Sequence, residues 1–585
     1  MYILGISCFY HDSSAALLKD SVIIAAAAQE RFSRIKHDTS FPTDAINFCL
    51  KQAGITIEEI NYIGFYEKPL LKLERILYQH LEMFPLSLKT FLSSMPSILS
   101  QKLAVVSLIK KRLGFKKAVF FIEHHLAHAA SSYLPSSFNK AAIVTCDGVG
   151  ESTTTSFGIG SGNDIKLLKQ ITFPHSLGLL YSTITAYLGF SVNNSEYKVM
   201  GLSAYGDNNS KTNKYYKKLK QIIDIKSDGS YHLDMDYLNY HFSDKMPSKK
   251  LCQLLGGPVR KPLDQITNRH QDIAAAAQLM LEEVLTKIFQ FVQKTTGEEN
   301  VVFAGGVALN SVFNSKILSK TKFKNIWISP DPGDGGGSVG VCCYIYNTIL
   351  GKKRITLDSA YLGPKFSSKE IERFLLKNKI VFKKFRNKKQ LIERCARLIF
   401  EDKILGWFQG QMEWGPRALG ARSILSNPCN PNIKEILNTK VKHREKFRPF
   451  APVVCQDDTK LYFETGSDTS KLSDFMLTVY PIKKIWRKKV PGVTHIDGSG
   501  RLQTIKRAQN PLFYDLIKRF GQLSGVSMLI NTSFNIRGEP IVCTPLDAYK
   551  CLMGTGIDYL IMGEFLVKRD DNSKDFWDSE KYAKD

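Results

Sequence analysis

At 585 residues the chain is too long for one hydrophobic core, and 43% apolar content with 35 Phe excludes intrinsic disorder, so two or more domains are expected. Lys and Arg number 80 against 55 Asp and Glu, a formal charge of +25; the excess lies in short runs such as 383–389 and 483–489, which favours small anionic ligands over RNA. No window holds the roughly 20 apolar residues of a membrane span, and the eleven cysteines, scattered and without Cys-x-x-Cys, read as free thiols of a reducing cytoplasm.

Met1 runs straight into the strand-like YILGIS with no basic leader, so export is not expected. The stretch 3–30 carries three apolar runs separated by polar turns, the pattern of an antiparallel meander. The same order recurs as AAIVTCDG, STTTSFGIG and IKLLKQIT (141–172), and each copy places ligand-type residues just past its first strand: His11-Asp12 in one, Asp147 in the other. A duplicated three-strand unit feeding helices is how actin-like ATPase folds begin. Between the copies, 67–117 is basic, with apolar residues at mixed three and four spacing; an amphipathic helical insertion packed on the first lobe is expected.

Residues 123–151 carry the densest chemical signal. His124 and His128 stand one helical turn apart on one face, and the strand after them ends at Asp147-Gly148. Two imidazoles and a carboxylate suit a divalent metal such as iron, zinc or manganese. The histidine pair alone reads more readily as a partly buried helix beside a structural turn; the strand and Asp-Gly turn that follow reverse that reading towards metal. After a polar excursion (207–262), 271–294 is a strong helix without Gly or Pro. Next come NVVFAGGVALN (300–310) and PDPGDGGGSVG (330–340), two strand–glycine–helix turns suited to a nucleotide, since glycines admit close approach and a helix N-terminus favours phosphate. The texture changes over 350–365, which reads as a linker. The second domain then opens with a helix-like run at 390–402, followed by WGPRALGARSIL (414–425), KVKHREKFRPFAPVV (440–454), HIDGSGRLQTI (495–505) and LINTSFNIRGEPIV (529–542). Arginine and lysine among Gly, Pro, Ser and Asn fit a phosphate or acyl-phosphate pocket.

Ten motifs in series, among them FYHDSSAAL, QERFSRIKHD, HHLAHAASSY, CDGVGE, YKVMGLSAYG, GGVALN, GPRALGARSI and KHREKFRPFAP, resemble the bacterial O-carbamoyltransferase family of nodulation-factor and antibiotic carbamoyltransferases over nearly the whole chain. The resemblance implies an α/β protein: a duplicated actin-like, ribonuclease-H-like domain (1–350), a linker (351–365) and a YrdC-like α/β domain (366–585). It implies that carbamoyl phosphate and ATP, with Mg²⁺, give carbamoyl-adenylate, and that the carbamoyl group then passes to a hydroxyl of a small molecule or glycan.

Carried over by motif, His124, His128, Asp147 and Asp334 correspond to metal ligands, with iron the implied ion. His11 corresponds to the base that takes the acceptor proton. Gly305, Gly306, Asn310, Gly335 and Gly336 correspond to nucleotide contacts, and Arg417, Lys442, Arg448, Arg501, Asn531 and Ser533 to groups that grip carbamoyl phosphate and ATP. Lys198 matches a family motif as either a nucleotide contact or a structural ion pair. Gly337 departs from the pattern, where a bulkier small residue is expected, and predicts a loosened loop. Rival readings are a tRNA-modifying carbamoyl or threonylcarbamoyl transferase and a non-catalytic actin-like nucleotide-binding regulator. The fused arginine-rich half, the absence of an RNA-binding module in the sequence and the intact histidine–aspartate set weigh against both. The acceptor and the oligomeric state are left open.

Overall fold

The three apolar runs at the amino terminus form strands β1 (Tyr2–Ser7), β2 (Ser14–Lys19) and β3 (Val22–Ala28), an antiparallel meander whose inward side chains are almost all buried. Two parallel strands, β4 (Tyr62–Phe65) and β5 (Val119–Phe121), extend it to the order 3-2-1-4-5. This is a computed structural model, and it describes residues 1–466 and 471–572.

The second copy repeats the plan. Strands β6 (Lys140–Cys146), β7 (Thr153–Ser161) and β8 (Asp164–Thr172) form a meander. After a small hairpin of β9 (Ile223–Ile225) and β10 (Tyr231–Leu233), the parallel strands β11 (Asn300–Ala304) and β12 (Asn325–Trp327) complete a sheet ordered 12-11-6-7-8. Matched strand for strand, the two sheets share one topology, so the duplication expected of an actin-like fold is present in the backbone.

These elements belong to one compact unit, Met1–Gln29 with Thr39–Leu357; the other comprises Glu30–Asp38 with Asp358–Asp585. The short segment Glu30–Asp38, part of the QERFSRIKHD motif, therefore belongs with the second unit. There Arg31 donates to the Gly415 carbonyl at 3.0 Å and Arg34 to those of Ile541 and Pro540 at 2.7 and 2.8 Å.

The second unit opens not with the run at 390–402 but with a helix at Ser368–Lys377, closed by a Ser367–Glu370 capping box; the helix Lys388–Phe400 follows. Its sheet is mixed and eight-stranded: β13 (Lys383–Lys384), β14 (Leu405–Phe408), β15 (Arg422–Ser426), β16 (Ala451–Cys455), β19 (Gln503–Ile505), β20 (Met528–Ser533), β21 (Tyr559–Met562) and β22 (Phe565–Lys568), ordered 13-22-21-14-15-20-16-19, while β17 (Tyr480–Pro481) and β18 (Ser499–Gly500) pair apart. Strands β14, β15 and β20 are buried on both faces, between one core around Phe408, Ile424 and Ile530 and another around Trp407, Leu425 and Leu529.

The insertion at 67–117 is helical, as expected, in Pro69–Glu82, Leu88–Ser97 continued by Ile98–Lys102, and Val105–Leu113. It does not bury its leucines as a core-packed insertion would: Leu70, Tyr78, Leu81, Phe84, Leu86 and Leu92 are all more than 60% exposed. No single helix among the described residues is long and apolar enough to cross a membrane, although the bent pair Leu88–Lys102 and Val105–Leu113 has that composition. All eleven cysteines are free.

The helices Gly337–Cys343 and His124–Tyr133 touch closely enough that a Cβ on Gly340 would lie 2.1 Å from the Ala127 carbonyl oxygen, whereas Gly162 (φ +57°) faces open space. Gly340→Ala is therefore expected to lower the stability of the first unit by about 2–3 kcal/mol, against about 1 kcal/mol for Gly162→Ala from backbone conformation alone. Chemical denaturation measures both. Equal costs would contradict this helix packing.

Candidate metal centre and anion-binding loops

Three elements deliver the four residues of the first cluster. The helix His124–Tyr133 presents both histidines inward, and the turn after β6 presents Asp147. The loop after β12 delivers Asp334 at the head of a helical turn. All four residues are buried, at 5% exposure or less, and their ligand atoms lie within 4.8 Å of one another. His124 Nε2 is 3.2 Å from Asp147 Oδ2, 3.5 Å from Asp334 Oδ1 and 3.1 Å from His128 Nε2, which is itself 3.4 Å from Asp334 Oδ1. Tetrahedral ligands about 2.0–2.2 Å from one ion stand about 3.3–3.6 Å apart, so the spacing fits a small divalent metal.

Electrostatics point the same way. Both oxygens of Asp334 are buried without a hydrogen-bond donor, and a bare carboxylate in that position is costly. Burial would raise the pKa of Asp147, but hydrogen bonding and charge from His124 and His128 hold it well below the usual range. Burial likewise opposes ionisation of Asp334, and the positive charge of His11 and His124 overcomes it. Two carboxylates facing two imidazoles make a site that one divalent cation renders neutral.

The backbone around the cluster is fixed from several sides. The Glu151 carboxylate accepts the His124 backbone N–H at 3.0 and 3.1 Å, anchoring the start of the helix. At the helix C-terminus the Arg354 guanidinium donates to the carbonyls of Tyr133, Leu134, Ser136 and Phe138, where a cation is favoured. Gly306 N–H donates to Asp147 Oδ1 at 2.8 Å, and Gly305, at φ +90°, has its absent Cβ 2.2 Å from the Cys146 carbonyl. Gly335 and Gly336 are held as closely against Asp331. Gly337 does not loosen this loop: a Cβ there would meet the Tyr66 ring at 2.9 Å, and Tyr66 in turn packs edge-on against His124 at 5.2 Å.

His11 stands beside the cluster with Nδ1 2.9 Å from Asp12 Oδ2 and Nε2 3.9 Å from Asp334 Oδ2. An ionised carboxylate only accepts, so Nδ1–H donates to Asp12 and Nε2 faces Asp334. Burial lowers its pKa, but Asp334, Asp12 and Asp147 outweigh that and raise it to about 10. Asn310 caps the helix Ser311–Asn314 and exchanges amide hydrogen bonds with Gln278 at 2.9 and 3.1 Å. Lys198 is buried, its ammonium over the Phe190 ring at 5.5 Å.

In the second unit the loops gather around β20. Asn531 Nδ2 donates to the Ala418 carbonyl at 3.2 Å and to Gln503 Oε1 at 2.5 Å, which ties together the segments bearing Arg417, Arg501 and the NTSFN motif. The buried Glu413 shapes the 414–425 loop by accepting the N–H groups of Leu419, Ala421 and Arg422. Arg422 itself is a structural residue, fully buried over the Phe408 ring at 3.7 Å. The Lys442 ammonium donates to the Ser533 carbonyl, and to Asn535 O and Oδ1 at 3.0 and 2.8 Å, so it fastens two loops together. Burial, then the Arg444, Arg448 and Lys36 charges, push Lys442 well below the ordinary lysine range. Arg448 has Glu445 at 3.7 Å, as does Arg537. Such a concentration of positive charge is suited to an anion.

The family model for the carbamoyltransferase N-terminus matches residues 2–343, and that for the carbamoyltransferase C-terminus matches 396–569. The chain belongs to the carbamoyltransferase family. It is 43% identical to the uncharacterized protein sll1178 of Synechocystis sp. over 97% of both chains, and 33% identical to the nodulation protein NolNO of Sinorhizobium fredii over 97% of this chain and 80% of that one. Among solved structures, HypF of T. kodakarensis aligns at 13% identity and a TM-score of 0.32, over 60% of this chain and 48% of that one.

In this carbamoyltransferase the sequence motifs pointed to the four cluster residues but not to the groups that hold them. Glu151 lies inside the CDGVGE motif, and Arg354 lies in what reads as a linker. His124→Ala is expected to reduce divalent metal retained after dialysis to about a tenth or less, and Glu151→Ala to weaken metal affinity by roughly tenfold while the fold persists. Elemental analysis and metal titration test both. Full retention by His124→Ala would contradict the assignment of the ligands.

Proposed function

We propose that the protein is an ATP-dependent O-carbamoyltransferase acting in two stages. In the second unit, water cleaves carbamoyl phosphate to carbamate and phosphate; a carbamate oxygen then attacks the α-phosphorus of ATP, the bond from that phosphorus to the α,β-bridging oxygen breaks, pyrophosphate leaves, and carbamoyl-adenylate forms. In the first unit a hydroxyl of a small molecule or glycan attacks the carbamoyl carbon, the C–O bond to the phosphate breaks, and AMP departs. The observation that carries this reading is the buried two-histidine, two-aspartate cluster with His11 beside it, within a chain whose two halves both match carbamoyltransferase models.

His11 is the base once a cation at the cluster offsets the Asp334 and Asp147 charges that raise its pKa to about 10: with Nδ1–H held by Asp12, its neutral Nε2 takes the acceptor proton, a role worth on the order of 10²–10⁴ in rate. His124, His128, Asp147 and Asp334 would hold the divalent ion, iron by family resemblance, which supplies Lewis acidity and neutralises charge at the leaving phosphate. Gly305, Gly306, Gly335 and Gly336 let the nucleotide lie against backbone. In the second unit Arg417, Arg448 and Arg501 hold the phosphates, while Lys442 and Ser533 shape the loops. Asn531 supports the carbamoyl assignment directly. Its Nδ2 is fully engaged, but its Oδ1 is buried without a donor, an acceptor suited to a carbamoyl NH₂ group.

His128→Ala is expected to abolish acceptor carbamoylation while ATP–pyrophosphate exchange dependent on carbamoyl phosphate survives. Arg448→Ala is expected to stop exchange, with added carbamoyl-adenylate restoring part of the transfer. Equal loss of both activities in His128→Ala, or no rescue of a folded Arg448→Ala protein, would refute the division of labour.

A further inference from the structure

Ten of the large apolar side chains that stand exposed among the described residues fall between Leu70 and Leu99, so this surface is far more apolar than any other stretch of similar length. Their placement is ordered. In the helix Pro69–Glu82, Leu70, Leu77, Tyr78 and Leu81 follow the seven-, eight- and eleven-residue spacing of one helical face, and they face solvent. In Leu88–Ser97 and its continuation, Leu88, Leu92 and Leu99 do the same.

The first helix is inverted relative to an ordinary surface helix. Its inward side is polar: Lys72 pairs with the fully buried Glu67 at 2.5 Å, Arg75 donates to the Glu151 carbonyl at 2.9 Å, and Gln79 donates to the His241 carbonyl at 2.5 Å. Those bonds fix which side faces out, so the leucines cannot turn inward without breaking a buried ion pair. The apolar face is thus built outward.

Charge indicates what covers it. Residues 67–117 hold ten Lys and Arg against three Glu. Lys89, Lys110, Lys111, Arg112, Lys116 and Lys117 of the same insertion are exposed. A two-fold contact between copies would press this basic surface against itself, whereas an anionic lipid surface offers both an apolar layer and opposite charge. We propose that the 67–117 insertion docks the enzyme on an anionic membrane surface, its helices lying in the interface. The continuous helix Leu88–Lys102 is about 22 Å long, short of the roughly 30 Å hydrocarbon layer, so it lies along the bilayer and does not cross it.

The test is co-sedimentation of the full-length protein with vesicles of phosphatidylglycerol and phosphatidylcholine, and with phosphatidylcholine alone, at low salt. The protein is expected to pellet with the anionic vesicles and to bind neutral ones roughly tenfold more weakly. A variant carrying Leu81→Glu, Phe84→Glu and Leu92→Glu is expected to lose binding by roughly tenfold or more, as is one carrying Lys110→Glu, Lys111→Glu and Arg112→Glu. A Leu81→Ser, Phe84→Ser, Leu92→Ser protein with wild-type circular dichroism must show the same loss, which separates docking from misfolding. Wild-type protein that stays in the supernatant, or apolar-face variants that pellet as well as wild type, would overturn the proposal. So would a dimer in sedimentation velocity that the same variants dissolve, with no vesicle binding, since that assigns the face to a second copy.

Discussion

Two carboxylates buried within a few ångströms of each other are the constraint around which the first unit is arranged. Asp147 and Asp334 lie at 5% exposure or less, and the Asp334 oxygens have no hydrogen-bond donor. Burying such a pair costs several kcal/mol per charge unless a countercharge sits between them. Two imidazole nitrogens at 3.2–3.5 Å share the space, and a divalent cation would balance the set. Much of the surrounding packing keeps these groups facing one another. The Glu151 clamp fixes the helix start, the Gly306 N–H fixes one Asp147 oxygen, and the Gly340 approach leaves no room for slippage between helices.

The duplicated fold explains why the cluster can form. In each copy the loop past the first strand carries candidate site residues, His11-Asp12 after β1 and Asp147 after β6. The loops after β11 and β12 add the Gly305-Gly306 turn and Asp334. Open α/β sheets place their ligands at the carboxyl ends of strands, and a duplicated sheet supplies two such edges. The second unit works differently. Its central strands are buried on both faces, and its arginine-bearing motifs lie in loops fastened by Lys442, Glu413 and Asn531.

Much of this was legible in the sequence because the signals are local. The meanders follow from apolar runs and turns, and His124 and His128 from helical spacing. Asp147 follows from a strand that ends at Asp-Gly. What could not be read depends on distant partners. The outward leucines of 69–82 look like a core stripe until Lys72 is seen paired with Glu67 and Arg75 with Glu151. Gly337 suggests a loose loop until Tyr66 is found against it. The membership of Glu30–Asp38 in the second unit depends on Arg31 and Arg34 reaching carbonyls near 415 and 541, which no local pattern announces.

The central claim is that one divalent ion resides among His124, His128, Asp147 and Asp334. Anomalous diffraction from crystals grown with Fe²⁺ or Mn²⁺, recorded on both sides of the metal edge, tests it most directly. The account predicts a single edge-dependent peak about 2.0–2.3 Å from both Nε2 atoms and one oxygen of each aspartate. A fully loaded crystal with no peak there, or with the ion bound elsewhere and the two imidazoles still in mutual contact, would contradict it.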